Sequence, residues 1–125
     1  MHGQMPQEIE VWYTIPALRR EIAKAMLEEK LTQKEIAKIM GITEAAVSQY
    51  LHSKRAKDVL FPKNIQASIK ESAKKIIADP KQLMNEMMHL TRLEDTKQVT
   101  CKLHKKHDAN LPMDCESCFE TVEVK

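Results

Sequence analysis

The chain has 125 residues, 42% hydrophobic and 30% charged, which suits one compact, soluble helical domain or a small domain with an appendage. Only two glycines occur, Gly3 and Gly41, which excludes a glycine-rich phosphate loop and a dinucleotide fingerprint; no nucleophile elbow is present either, so no enzyme is expected. The net charge of +2 hides an asymmetry: Ser53 to Ala78 carries seven basic residues against two acidic, whereas Asp108 to Val124 carries five acidic and none basic.

Met1 to Gln7 is polar, with Met5 a second candidate start. The longest apolar runs are a few residues, and no basic region precedes an apolar one near the N-terminus, so no membrane contact is expected and the expected compartment is the cytoplasm. Ile9, Val11 and Tyr13 alternate with Glu10 and Trp12, predicting a short extended segment that packs on the domain or reaches a partner protomer. Pro16, tolerated in a first turn, opens a helix to about Glu29, with Leu18, Ile22, Ala25, Met26 and Glu29 setting its period.

Gln33 to His52 follows, and its residues meet the local demands of a helix-turn-helix. Ile36, Ala37 and Met40 mark the inner face of one helix, and Val47, Tyr50 and Leu51 that of a second. Ala37 lies where the helices cross, so a methyl side chain permits close approach. Gly41 takes the positive φ of the first helix's C-terminal cap, and Ile42 drops into the angle between the helices. Thr32 and Glu35 make a T-x-x-E capping box, Leu31 and Ile36 a hydrophobic staple, and Thr43 caps the second helix. Three helices from Ile15 to Leu51 then form a trihelical head.

With that inner face fixed, Thr43, Glu44, Ala45, Ser48, Gln49 and His52 face outward as candidate base readers in a DNA major groove. Gln49 matches adenine N6 and N7, Glu44 accepts from cytosine N4, and Ala45 fits a thymine methyl. Gln33 and Lys34, at the positive end of the first helix, are candidate phosphate contacts. So are Ser53, Lys54, Arg55 and Lys57 in the basic stretch after His52.

Ile65, Ile69, Ala73, Ile76 and Ile77 predict a fourth helix that stops at Asp79-Pro80. From Pro80, with Asp79 as its cap, a fifth is predicted to about Val99, with Leu83, Met84, Met87, Met88, Leu90 and Thr91 on a broad apolar face. So small a monomer has little core to cover both stripes. They are expected to form a homodimer interface, spacing two readers by about 34 Å, one DNA turn, with an intramolecular core as the alternative.

Cys101, His104, His107, Cys115 and Cys118 crowd into eighteen residues. Cys101 with His104 is C-x2-H and Cys115 with Cys118 is C-x2-C, paired donors that tight turns present to one tetrahedral ion. Structural zinc is expected on Cys101, His104, Cys115 and Cys118, with His107 the rival fourth ligand and an iron–sulfur cluster the alternative cofactor. The odd cysteine count argues against a disulfide scaffold, and a thioredoxin-like dithiol lacks its strand and helix setting.

The stretches IEVWYTIPALRREIAKAML and LTQKEIAKIMGITEAAVSQYLHSKR resemble a group of archaeal transcriptional regulators whose helix-turn-helix also occurs fused to a thiamine-phosphate synthase-like domain. The likeness covers Pro6 to Lys57, and the remainder is similar to short members with a cysteine-rich tail. It implies repression or activation by a DNA-bound dimer and supplies no effector, since Val59 to Lys125 is too short for the synthase-like domain. Where relatives use four cysteines, His104 departs from the pattern in a direction that favours zinc.

The expected architecture is therefore all-α: a helix-turn-helix head with its N-terminal arm over 1–58, a helical dimerisation region over 59–99, and a metal knuckle over 100–125. The expected function is a dimeric, sequence-specific regulator bound to double-stranded DNA. The rival is a protein-interaction module with a degenerate reader and a structural zinc knuckle.

Overall fold

The computed structural model describes residues 5–52 and 59–107, and every element among them is helical. Helix α1 (Pro6–Ile9) runs through a π-helical turn (Glu10–Thr14) into α2 (Ile15–Glu28). Next come α3 (Gln33–Met40), α4 (Glu44–His52) and α5 (Lys63–Ala78). A 3-10 turn (Pro80–Gln82) leads to α6 (Leu83–Arg92) and α7 (Glu94–His107).

The segment read as extended is thus helical. Pro16 has no N–H, and in a regular helix its ring presses on the carbonyl four residues back, that of Trp12. The wider turn ahead of it, closed by the Ile15 amide on the Glu10 carbonyl, relieves that crowding. Ile9 and Thr14, five residues apart and so one π turn, are both buried, whereas Val11 is exposed and Tyr13 half-buried. A strand here would need a ladder partner for its amides, and no described residue is in a strand.

Helix α2 is the hub. It packs most extensively on α5, then on α4, and also touches α3 and α6. Leu18, Ile22 and Met26 of α2 share one apolar cluster with Ile36 and Val47 of the head, Ile65, Ile69 and Ile76 of α5, Leu90 of α6, and Val99 and Leu103 of α7. The stripe of α5, expected to face a second protomer, is therefore closed within the chain, the alternative set out above. The exposed apolar remainder on α6 is Met84 and Met88, at 68% and 41% of their free surface.

The fifth helix is shorter than its pattern implied. Asp79 caps the Pro80 turn as expected, accepting from the Lys81 amide at 3.3 Å, but Leu93 leaves the helix with ψ of 136°. Glu94 and Asp95 then open α7, where carboxylates suit the positive end of the helix. After this corner α7 packs on α1 and the π turn. There the buried hydroxyls of Thr14 and Thr100 meet at 2.8 Å. The boundary expected after residue 99 falls inside α7, a continuous helix to His107.

Candidate nucleic-acid interface

The angle between α3 and α4 is set by local hydrogen bonds. Thr32 Oγ1 accepts from the Glu35 amide and Glu35 Oε1 accepts from the Thr32 amide, both at 3.1 Å, a complete capping box. Leu31, before the cap, packs on the cluster that contains Ile36. At the other end Gly41 has φ 67° and ψ 32°. Its amide donates to the Lys38 carbonyl at 3.4 Å and the Ile42 amide to that of Ala37 at 3.0 Å, a Schellman closure. No atom lies within 4 Å of where a Gly41 Cβ would stand, so glycine is required here by φ and not by space. Thr43 Oγ1 accepts from the Ala46 amide at 3.0 Å and so starts α4.

This frame fixes the rotation of α4. Val47 is buried, and Tyr50 and Leu51 are half-buried at the edge of the inner face. Thr43, Glu44, Ala45, Gln49 and His52 are exposed, and Ser48 is half-buried among them. Five of the six candidate base readers therefore lie on the outer side of α4, and Thr43 is exposed at its start as the capping residue. His52 Nδ1 lies 2.9 Å from the Ser48 carbonyl, and donation from Nδ1 leaves Nε2 as the ring atom available to a ligand. Gln33 and Lys34 are exposed on the first turn of α3. Ser53, Lys54, Arg55 and Lys57 lie outside the described residues.

Two residues of this surface carry no local signal. Arg19 Nη1 donates to Tyr50 Oη at 3.1 Å with its guanidinium carbon 5.9 Å from the ring centroid. Arg20 Nε points at the Leu51 carbonyl at 3.5 Å, while its Nη1 bonds Glu21 at 2.8 Å. On α2 the pair reads as part of a solvated face. Only the crossing of α2 over α4 brings Arg19 to Tyr50 and Arg20 to the Leu51 carbonyl.

Cys101 and His104 lie one turn apart on α7, each only 5% exposed, so a helix and not a tight turn brings this pair of donors to one side. His107 ends the same helix, its side chain outside the described set, and Cys115 and Cys118 lie beyond the described residues. Among the described residues no three His, Cys, Asp or Glu side chains gather as a metal site. No described helix is long and apolar enough to cross a membrane.

Residues 14–57 match the family described as sigma-70, region 4. The match takes in α2, α3, α4 and the residues just beyond, and leaves α5 to α7 outside it. No curated protein and no solved structure matches the chain. The chain thus carries a helix-turn-helix similar to a DNA-binding one.

Proposed function

We propose that this chain is a sequence-specific, DNA-binding regulator of transcription. The carrying observation is the capped α3–turn–α4 unit, which presents Thr43, Glu44, Ala45, Ser48, Gln49 and His52 on one face, inside the segment similar to sigma-70 region 4. Gln49 pairs with adenine, Glu44 with cytosine N4 and Ala45 with a thymine methyl; Thr43, Ser48 and His52 add contacts to base or backbone. Gln33 and Lys34 hold phosphate at the start of α3, and Ser53, Lys54, Arg55 and Lys57 hold it beyond α4.

The regulator acts as a homodimer, a reading supported by the exposed Met84 and Met88 on α6 and by the likeness to archaeal dimeric regulators. Zinc on Cys101, His104, Cys115 and Cys118 fixes the C-terminal segment to α7. The fit on α7 is good: a thiol and an imidazole spaced three residues apart, both shielded from solvent. A cluster of iron and sulfide is the alternative use of the same donors, with His104 favouring zinc. The metal, when bound, supplies cross-linking and folding energy to a segment too short to bury a core.

Selection of genomic fragments by the purified protein tests the central claim. One enriched sequence is expected, and its affinity should drop in Gln49→Ala at one base position and in Arg55→Ala at all sequences alike. Binding without any preference would remove the regulator reading. Elemental analysis of anaerobically purified protein should give one zinc per chain, and a chain that stays empty after zinc is added would remove the metal.

A further inference from the structure

We propose that the groove between residues 59–62 and α7 is the docking site of this chain's own acidic C-terminal segment, Asp108 to Val124. The inference goes beyond the DNA-binding reading and does not depend on it.

The groove has an apolar floor and a basic rim, and its volume is about 410 Å³. Val59, Phe61, Val99 and Leu103 line it and are buried members of the core cluster, so the fold itself fixes its walls. Leu60 lies between two of them with 84% of its surface exposed, more than any other large apolar side chain among the described residues. A leucine left out while both its neighbours are buried is surface that an occupant gains by covering. From α7, Lys102 and Lys106 line the same groove and are exposed. Apolar surface beside two ammonium groups suits a peptide that carries both apolar and acidic side chains.

The chain supplies such a peptide two residues past Lys106. Asp108 to Val124 holds five carboxylates and no lysine or arginine, together with Leu111, Met113 and Phe119. Extended, this segment reaches about 56 Å, whereas Val99 to Lys106 takes up only about 10 Å of helix, so one reversal beyond His107 lays it along the groove. The tether also sets its effective concentration on the order of millimolar, which favours it over a free partner of the same chemistry.

Metal binding makes no claim on this face. At about 100° of rotation per residue, Val99, Lys102, Leu103 and Lys106 share one arc of α7, and Cys101 and His104 each stand about 150° from its middle. Residues 119–124 follow Cys118 directly and reach about 20 Å when extended, nearly twice the width of a helix. A tail held by zinc at Cys118 still has the length to enter the groove.

Carbodiimide cross-linking of the full chain, read by mass spectrometry, tests the assignment, because the reagent joins an amine to a carboxylate only where the two touch. Isotopically labelled and unlabelled chains are mixed, so that a link within one chain is told from a link between two. Lys102 or Lys106 should link to Glu116, Glu120 or Glu123 within one chain. The yield should be several-fold above that of Lys97, which is exposed on the same helix outside the groove. Leu60→Ser should lower the yield several-fold, since burial of a leucine is worth about tenfold or more in an equilibrium constant. The fold is not at stake in that variant, because Leu60 is exposed. Links from Lys102 and Lys106 no more frequent than those from Lys97 overturn the proposal. So do links chiefly between chains, which would give the groove to a second copy. An unchanged yield in Leu60→Ser overturns it as well, since the lysines would then attract the segment without the groove holding it.

Discussion

The Ile42 amide donates to the Ala37 carbonyl at 3.0 Å, and this bond ties the residue after the turn back to α3. The two ends of the link have complementary roles. Ala37 is buried within the core cluster, while Ile42 is half-buried and packs back on it from the far side of the turn. Between them Gly41, at φ 67°, closes the loop. Gly41→Ala should therefore cost about 1–2 kcal/mol, the penalty of a left-handed L-residue, with no added clash against the rest of the fold because no further atom lies near the added Cβ. Urea unfolding measures the loss. A neutral result would mean that the turn conformation does not limit stability.

Lys30 offers the converse. Helix α2 ends in the same closure, with the Leu31 amide on the Met26 carbonyl at 3.1 Å and the Lys30 amide on that of Leu27 at 2.9 Å. Here the left-handed position, φ 69°, is held by a lysine. Lys30→Gly should stabilise the chain by about 0.5–1 kcal/mol, the relief of strain exceeding the added freedom of the unfolded state. A lower urea midpoint for the variant would contradict this.

The contrast between these turns shows what a linear reading reaches. The capping box, the Gly41 closure and the inner faces of α3 and α4 were legible because each is satisfied within a few residues. The outward set from Thr43 to His52 followed from the inward one. The π turn was not legible: alternation in IEVWYTI imitates a strand, and the influence of Pro16 acts backwards on the turn before it. The corner at Leu93 has neither glycine nor proline to announce it. Arg19 and Tyr50 are thirty-one residues apart, so their contact exists only once α2 crosses α4.

Glu10, on the π turn, should make stability depend on pH. Burial pushes its carboxyl above the usual 4.5, and the charge of Lys97 pulls the other way without cancelling it. The folded state therefore binds this proton more tightly than the unfolded one, so the contribution is fully present below pH 4.5 and is lost as pH rises through the raised value. Glu10→Gln should melt higher than the unaltered protein near neutral pH, and the gap should close on acidification through the carboxylate range. A gap that widens in acid would show that attraction to Lys97 outweighs burial.

Thr14 and Thr100 join the π turn to α7 through a hydroxyl pair 2.8 Å apart, and both residues are buried. Replacing either alone by valine keeps the shape and strands the other hydroxyl, at about 1–3 kcal/mol. Replacing both removes the two polar groups together and should cost far less than the sum. A double-mutant cycle in urea should thus show strong coupling. Additive losses would mean that water satisfies the lone hydroxyl in each single variant.

Met84 and Met88 project from one side of α6, four residues apart, on the part of the apolar stripe that the chain leaves uncovered. Helix α5 has already closed its stripe against α2, so on α6 these two side chains are the apolar surface that docking of a second protomer would cover. The double change Met84→Glu and Met88→Glu places like charges across a two-fold contact, where each residue meets its own copy or a near neighbour. Sedimentation should show a dimer for the unaltered chain and a monomer for the variant, with the thermal midpoint of the monomer core little altered because neither methionine is buried. Affinity for a two-fold symmetric site should then fall, while contacts within one half-site remain. A variant that still sediments as a dimer would move the interface off this face.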